Sequence, residues 1–569
     1  MKLETMRATR MTTPTSAIAA AIALLCASAT AIAQEAPQDP SAETGVAQEP
    51  PDDVLITGSR VIRDGYEQPT PVTVVGPEQL NAISPSLLVD VAKTLPQFKN
   101  VTGPEGSGTT TVNGGHAGMN LRGLGVNRNL ILLDRRRVAP STANGRVDIN
   151  VLPSALIKRI DVVTGGASAA WGSDAVSGVV NFILHTDYTG FKTTLEGGRA
   201  QEGDNEQRQI TLVAGTSFAG DRGHVVFSAE HFKNDGVENM ARAWQRRKVG
   251  LVANPAFTPT NGQAQRHLVE GIVATSMTRG GIISTGRNAN GTVNNSLRGI
   301  AFGPGGTPYN FQYGTYVSFT GSMVAPPDPE GDYFNDTEYT TVTDGSVIQH
   351  PSDRYNAFAH AKYALTDNVN AYVELMYTGS ELGPYQTAAP FQLGTSPVNS
   401  FIITADNAFL PAEVSARMSG VGGGDPMGPA TIWVGRNAVD WGGFEQVWNW
   451  NRTKRAVTGL RGEAFDGWRW NAYYQYGINK YENIIPRNTI TSRNGVSAQG
   501  NINLAADAVF APAGNPLGVP AGTIVCRSTL TNPSNGCVPL NIFGVGSASQ
   551  EAIDYFYGYQ LYGDRKSVV

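Results

Sequence analysis

From Arg354 onward the chain alternates: Tyr355, Ala357, Ala359, Ala361, Tyr363 and Leu365 share one face, with Asn356, His360 and Lys362 on the other. After Thr366-Asp367-Asn368 the period resumes, with Val369, Ala371, Val373, Leu375 and Tyr377 set against Asn370 and Glu374. A period of two belongs to a strand whose faces meet different surroundings. Two such strands around a short polar turn predict an antiparallel hairpin. The pattern recurs in Arg455 to Ala464, the turn Phe465-Asp466-Gly467, and Trp468 to Asn479. There Trp468, Trp470, Ala472, Tyr474 and Tyr476 fall on one face, aromatic enough for a membrane interface. Ile210 to Thr216 and His224 to Phe232 make a third pair around Asp221, and His224 and His231, seven apart, face opposite sides. Alternation alone also fits a soluble sandwich. Short turns alternating with long polar stretches, Asn234 to Ser352 and Leu382 to Trp450, favour a barrel with long loops on one side.

A different pattern precedes these hairpins. Leu130 to Leu133 and Ile160 to Val163 are short apolar runs bounded by Gly, Asp and Asn, as strands buried on both faces are. Between them Pro153 to Lys158, with Leu152, Leu156 and Ile157 at helical spacing, predicts a short helix start. Gly165, Gly166, Gly172 and Gly178 allow close backbone approach and cheap bends. The wording LRGLGVNRNLILLDRRRV, then VDINVLPSALIKRIDVVTGGASAAWGSDAVSGVVNFIL, over Leu121 to Leu184, resembles the plug domain of TonB-dependent outer-membrane receptors. The family usually turns with Asp-Gly where this chain has Asp134 followed by Arg135, Arg136 and Arg137. Without glycine a two-residue turn needing positive φ is disfavoured, which predicts a looser hairpin. The three arginines read either as a solvated turn or as a cationic patch for an anionic ligand.

At the amino terminus Lys2, Arg7 and Arg10, the apolar run Ile18 to Ala29 and Ala31-Ile32-Ala33 make an export signal over 1–33. No run here or later reaches the length of about 20 residues that a membrane helix needs. Cys26 follows Leu25, where a lipoprotein would have a small residue, and is expected to leave with the signal. Residues 34–53 are rich in Glu, Asp, Pro, Gln and Ala and predict a flexible tether. Asp53, Val54, Leu55, Ile56, Thr57 and Gly58 then switch to a β-prone run. Read alone this is a first strand. Beside the plug wording it resembles the TonB box, which the energy-transducing partner captures by strand addition. A tether this short leaves no room for the signalling domain of some relatives.

The 569 residues include 41% hydrophobic ones, the formal charge is −5, and no basic stripe appears, which speaks against nucleic-acid binding. Cys526 and Cys537 flank a Pro- and Asn-rich turn and predict a structural disulfide worth roughly 3 kcal/mol at most. Their spacing excludes CxxC metal geometry. Gly166-Ala167-Ser168-Ala169-Ala170 lacks the last glycine of a nucleophile elbow, no Walker loop or H-E-x-x-H occurs, and neither enzyme activity nor a cofactor is expected. Asp328 to Tyr333 carries carboxylates without a calcium ligand register. Tyr309, Phe311, Tyr313, Tyr316 and Phe319 would stack on a ligand or, more simply, lie on barrel strands.

The expected fold is an α+β plug over 59–185 followed by an antiparallel transmembrane β-barrel over 186–569. The resemblance implies energy-coupled uptake of a ferric siderophore, cobalamin or glycan across the outer membrane. Its partners would be TonB, the extracellular substrate and outer-membrane lipid. Thr110, Asn113 and His116 of a Gly- and Thr-rich loop, with Arg135 and Arg136, are the candidate substrate contacts. Plugged transporters have 22 strands and resemble one another in ending on an aromatic residue. The stretch after Thr186, ending Asp564-Arg565-Lys566-Ser567-Val568-Val569, predicts an incomplete barrel. An inert receptor remnant and a secreted β-rich binding protein or adhesin are the alternative readings.

Overall fold

The computed structural model describes most residues between 72 and 568. It leaves out 1–71, 81–87, 100–115, 238–241, 243–249, 312–322, 325–347, 387–390, 393–399 and 490–499, with shorter stretches. The export signal, the tether, Asp53 to Gly58, Thr110, Asn113, Tyr313, Tyr316, Phe319 and Asp328 to Tyr333 therefore lie outside the described residues.

A small mixed sheet comes first, in the order β1 (Val72–Val75), β4 (Ile157–Thr164), β5 (Gly178–Leu184), β2 (Asn129–Leu133), β3 (Arg136–Arg137). β2 runs parallel to β5 and the other pairs are antiparallel. Every residue of β2 is buried, as its unbroken apolar run predicts. The expected helix start is reduced to single 3-10 turns, Ile149–Val151 and Ser154–Leu156, and Ile157 already belongs to β4. Asp148 caps the first turn by accepting the Asn150 N–H. Gly178 has φ +139°, and a Cβ there would stand 2.1 Å from the Val163 carbonyl oxygen.

The hairpins form one eight-stranded meander: β6 (Gly190–Gly198), β7 (Gln207–Phe218), β8 (Gly223–Asn234), β9 (Ser352–Thr366), β10 (Val369–Gln386), β11 (Gln446–Phe465), β12 (Trp468–Thr489), β13 (Tyr557–Val568). Each strand pairs antiparallel with the next, and the sheet is open between β6 and β13. The two faces differ as the alternation requires. Val226, Glu230, Phe232, Arg354, Phe358, Tyr372, Glu374, Met376, Arg455 and Val457 are buried on the inner face. Val225, Tyr363, Leu365, Val373, Leu375, Leu460, Trp468, Tyr474 and Tyr476 are exposed on the outer. An apolar face this broad on a soluble monomer would be exceptional. Val213, Val226, Phe232, Phe358 and Met376 of the sheet pack into the small domain's own core.

The long stretches between β8 and β9, β10 and β11, and β12 and β13 are not plain loops. They contribute to one folded cap, in which Pro308–Asn310, Ile300–Phe302, Ile282–Arg287 and Thr431–Asn437 form successive strands and Phe401–Thr404 pairs with Thr431–Asn437. Helices Asn501–Ala506 and Gln550–Phe556, from the third stretch, pack on a shared core that includes Trp441, Phe302, Phe401, Phe543 and Phe556. Tyr309 and Phe311 belong to this cap rather than to barrel strands. Buried Arg436 donates to the carbonyls of Ile542 (2.5 Å) and Gly544 (2.8 Å) and to Asp440 (2.7 Å). Arg527 joins Asp406 (2.8 Å), Asp507 (3.1 Å) and Thr404 (3.1 Å), and Cys526 and Cys537 are bonded at 2.07 Å.

Replacing Gly178 by Ala puts a Cβ into the Val163 carbonyl at a φ that side chains rarely adopt. We expect a loss of about 2–4 kcal/mol in the small domain, read as earlier thermal unfolding and faster proteolysis of 121–184.

Candidate functional site

The Asp134-Arg135 turn is the point from which the site is built. Asp134 (φ 45°) and Arg135 (φ 64°) both adopt the left-handed conformation, so β2 and β3 are joined by a tight two-residue turn. This corrects the looser hairpin expected without glycine. Left-handed side-chain residues cost on the order of 1 kcal/mol each, and hydrogen bonds to β5 offset that. The Asp134 N–H donates to the Phe182 carbonyl (2.9 Å), the Leu184 N–H to the Asp134 carboxylate (2.9 Å), and the Arg135 N–H to Asn181 Oδ1 (2.9 Å).

The turn presents Arg136 to the inner face of the large sheet. Its guanidinium meets Glu374 Oε1 at 2.5 Å and the Tyr372 hydroxyl at 3.1 Å, and lies 5.1 Å from the ring centroids of Tyr372 and Tyr473. Arg455, on the neighbouring strand, donates to the other Glu374 oxygen at 3.0 Å and to Gln475 Oε1 at 3.3 Å. Gln475 in turn donates to the Arg137 carbonyl (2.7 Å). Arg137 itself turns back into the small domain, to Asp174 and the Trp171 carbonyl. So Arg136, a candidate substrate contact, is placed as a fastener between domain and sheet, and Arg135 sits in the same turn. The sequence marked Glu374 and Arg455 only as a polar position of an alternating strand and the start of another.

Asp134 is half-buried by surface area but deeply set, and burial, with Glu374 next, pushes its carboxyl up to about 7. The Leu184 N–H and the guanidiniums of Arg136 and Arg455 work in the opposite direction.

Further contacts fasten the domain. Ser154 donates to Glu230, which is also paired with Arg354 at 2.8 Å, while Asn356 donates to the Val151 carbonyl at 3.1 Å. Asn451 reaches Asp148 at 3.4 Å, backed by Asn479, which also meets Thr453 at 2.8 Å. His116 is buried with its ring 5.0 Å from that of Tyr481. The small domain is thus held against the inner face by the Arg136–Glu374 pair and by neutral donors that meet carboxylates or carbonyls.

Residues 64–179 match the family model of the TonB-dependent receptor plug domain. Residues 64–179 are thus a TonB-dependent receptor plug domain. The small domain is therefore the plug, the large sheet is barrel wall, and the family's place is the outer membrane. It is a family of receptors and transporters, not of enzymes. Among solved structures, the chain is similar to a mutant of the ferric enterobactin receptor from Pseudomonas aeruginosa in complex with enterobactin. Identity is 13%, with 75% of this chain and 43% of that one covered and a TM-score of 0.39. It is also similar to a siderophore receptor from Acinetobacter baumannii, at 14% identity, 88% and 54% coverage and a TM-score of 0.33. The chain thus spans under half the length of the first and about half of the second.

Losing Glu374 strands two buried guanidiniums, whereas losing Arg136 leaves Arg455 still paired. Glu374→Ala is expected to destabilise the protein by about 3–5 kcal/mol, and Arg136→Ala by clearly less, in thermal or denaturant unfolding of the purified receptor. The raised Asp134 carboxyl stabilises the fold while protonated. That contribution is full below its ordinary value near 3.8, erodes across 3.8 to 7 and is gone above. Asp134→Asn keeps an acceptor for Leu184 and should flatten the fall in stability over that window. An unchanged pH profile would refute the assignment.

Proposed function

We propose that this chain is the gated part of an energy-coupled outer-membrane uptake receptor, with the plug as gate and the sheet as part of the wall around a substrate path. The observation that carries this reading is the Arg136–Glu374–Arg455 node, an ionic contact between a separately folded domain and the inner face of a two-faced sheet. Substrate enters from the cap side and meets the plug. The loop around His116, with Thr110 and Asn113, is the proposed first contact on the plug, while Arg136, in one turn with Arg135, stays with Glu374 until the plug moves. The Asp53 to Gly58 segment then pairs with TonB by strand addition, and inner-membrane energy displaces or remodels the plug. No covalent bond of the substrate changes. Ferric siderophores, cobalamin and glycans are the substrate classes that fit uptake of bulky or scarce molecules.

Strand addition needs the backbone N–H groups of 54–57. Leu55→Pro removes one donor, and should abolish energy-dependent uptake while leaving membrane insertion and substrate binding at the wild-type level. Growth of a deletion strain complemented with each form, on iron chelates, cobalamin and oligosaccharides in turn, measures both coupling and substrate. Wild-type growth with the proline variant on the substrate that requires the receptor would sink the coupling role of this segment.

A further inference from the structure

On the outer face of the sheet, basic side chains of β11 and β12 gather near the cap side. Arg452 lies directly opposite Lys480 across the strand pair, and Lys454 follows one outward position further along, opposite Ile478. Lys454 and Lys480 are exposed and Arg452 half-buried. Lys480 pairs with Glu482 at 2.9 Å. Among the described residues no carboxylate pairs with Arg452 or Lys454. Aromatic rings flank the cations: Lys454 stands 5.5 Å from the Tyr377 ring centroid, Tyr377 and Tyr355 lie 5.7 Å apart, and Tyr355 interacts with Arg452.

Below this row the outward positions of β11 are Ala456, Thr458, Leu460, Gly462 and Ala464, ending beside Phe465 and Trp468 at the short turn. At about 3.3 Å per residue and a tilt near 40°, that stretch covers roughly 20 Å along the membrane normal. This is close to the height of about 25 Å of the apolar band that outer-membrane barrels present to lipid. The three cations therefore stand where hydrocarbon gives way to headgroups on the cap side. Long basic stems lie along apolar surface and place their charge at that boundary.

We propose that Arg452, Lys454 and Lys480 form a lipid site on the outside of the wall, one that holds the phosphate-bearing headgroup of a lipid in the cap-side leaflet. The site rests on reading the sheet as membrane wall. Its occupant is a lipid rather than free phosphate, because the apolar outer face directly beneath the cations receives acyl chains.

The test extracts the receptor from outer membranes in a mild non-ionic detergent and counts retained phospholipid or phosphorylated glycolipid by native mass spectrometry. It compares the wild type, the triple variant Arg452→Gln, Lys454→Gln, Lys480→Gln, and Arg469→Gln at the opposite end of the sheet. The triple variant should retain at least about tenfold less phosphate-bearing lipid, with Arg469→Gln unchanged. Equal retention by the triple variant overturns the site, as does complete displacement by millimolar inorganic phosphate, which marks a free-anion site. Fractionation and heat-modifiable migration of the same samples test the wall reading separately. Wild-type protein outside the membrane fraction would refute the wall and the lipid site together, whereas membrane-inserted protein with equal lipid retention refutes the site alone.

Discussion

Glu374 has both carboxylate oxygens committed, one to Arg136 of the plug and the other to Arg455 of the wall. Each of these ions would cost several kcal/mol to bury alone, so their pairing fixes where the plug sits against β10 and β11. The arrangement is asymmetric in a useful way. Under the proposed uptake reading, when the plug moves Arg136 leaves for water, but Glu374 keeps Arg455 and the wall is left with a paired charge. A gate that stranded a buried carboxylate on opening would be locked by its own desolvation energy. Here the wall-side pair lowers that cost, and Asp134, its carboxyl pushed up to about 7 by burial, adds only a partial second negative charge at neutral pH.

The rest of the plug–wall contact follows the same economy by other means. Asn356 donates to the Val151 carbonyl and Asn451 to the Asp148 carboxylate, neutral donors on the wall side worth about 1–2 kcal/mol net each, and Asn479 braces Asn451 and Thr453 within the wall. Such groups are satisfied by the plug when it is seated and by water when it is not. The strand period makes this compatible with a lipid-facing exterior, since Asn449, Asn451 and Thr453 point inward while Arg452, Lys454 and Ala456 point outward from the same strand. One alternation therefore gives the strand both its plug-facing polar row and its outward row.

That alternation is also why the wall was legible in the sequence. Tyr355 to Leu365 and Val369 to Tyr377 meet two unlike environments and record both, so their faces and shared turn are read correctly from residues alone. The plug strands were legible for the opposite reason, since Leu130 to Leu133 meet one environment on both sides. The Asp134-Arg135 turn was misread because its conformation is imposed by Phe182, Leu184 and Asn181, residues close to fifty positions away, against local preference. The node itself was hidden for a related reason: Arg136 and Glu374 are separated by 238 residues, and nothing local to either names the other. The cap had a signal that went unread. Phe401-Ile402-Ile403-Thr404 and Thr431-Ile432-Trp433-Val434 are apolar runs inside stretches otherwise polar enough to pass for loops.

The cap changes what the mouth of the receptor can do. Three stretches far apart in sequence bury Trp441, Phe543 and Phe556 together, and Arg436 bonds carbonyls of the third stretch from a strand of the second. Arg527 ties the third stretch back to Asp406 of the second, and the disulfide closes the adjacent turn. Opening one stretch alone would expose aromatic side chains and leave a guanidinium that is fully buried without its carbonyl acceptors. Independent loop closure is therefore an expensive motion, while moving the plug separates the Arg136–Glu374 pair and the apolar contacts of Phe232, Phe358 and Met376, a cost that the proposed energy coupling would supply. Under the proposed uptake reading, the cap sets the shape of the entrance and the plug supplies the movement.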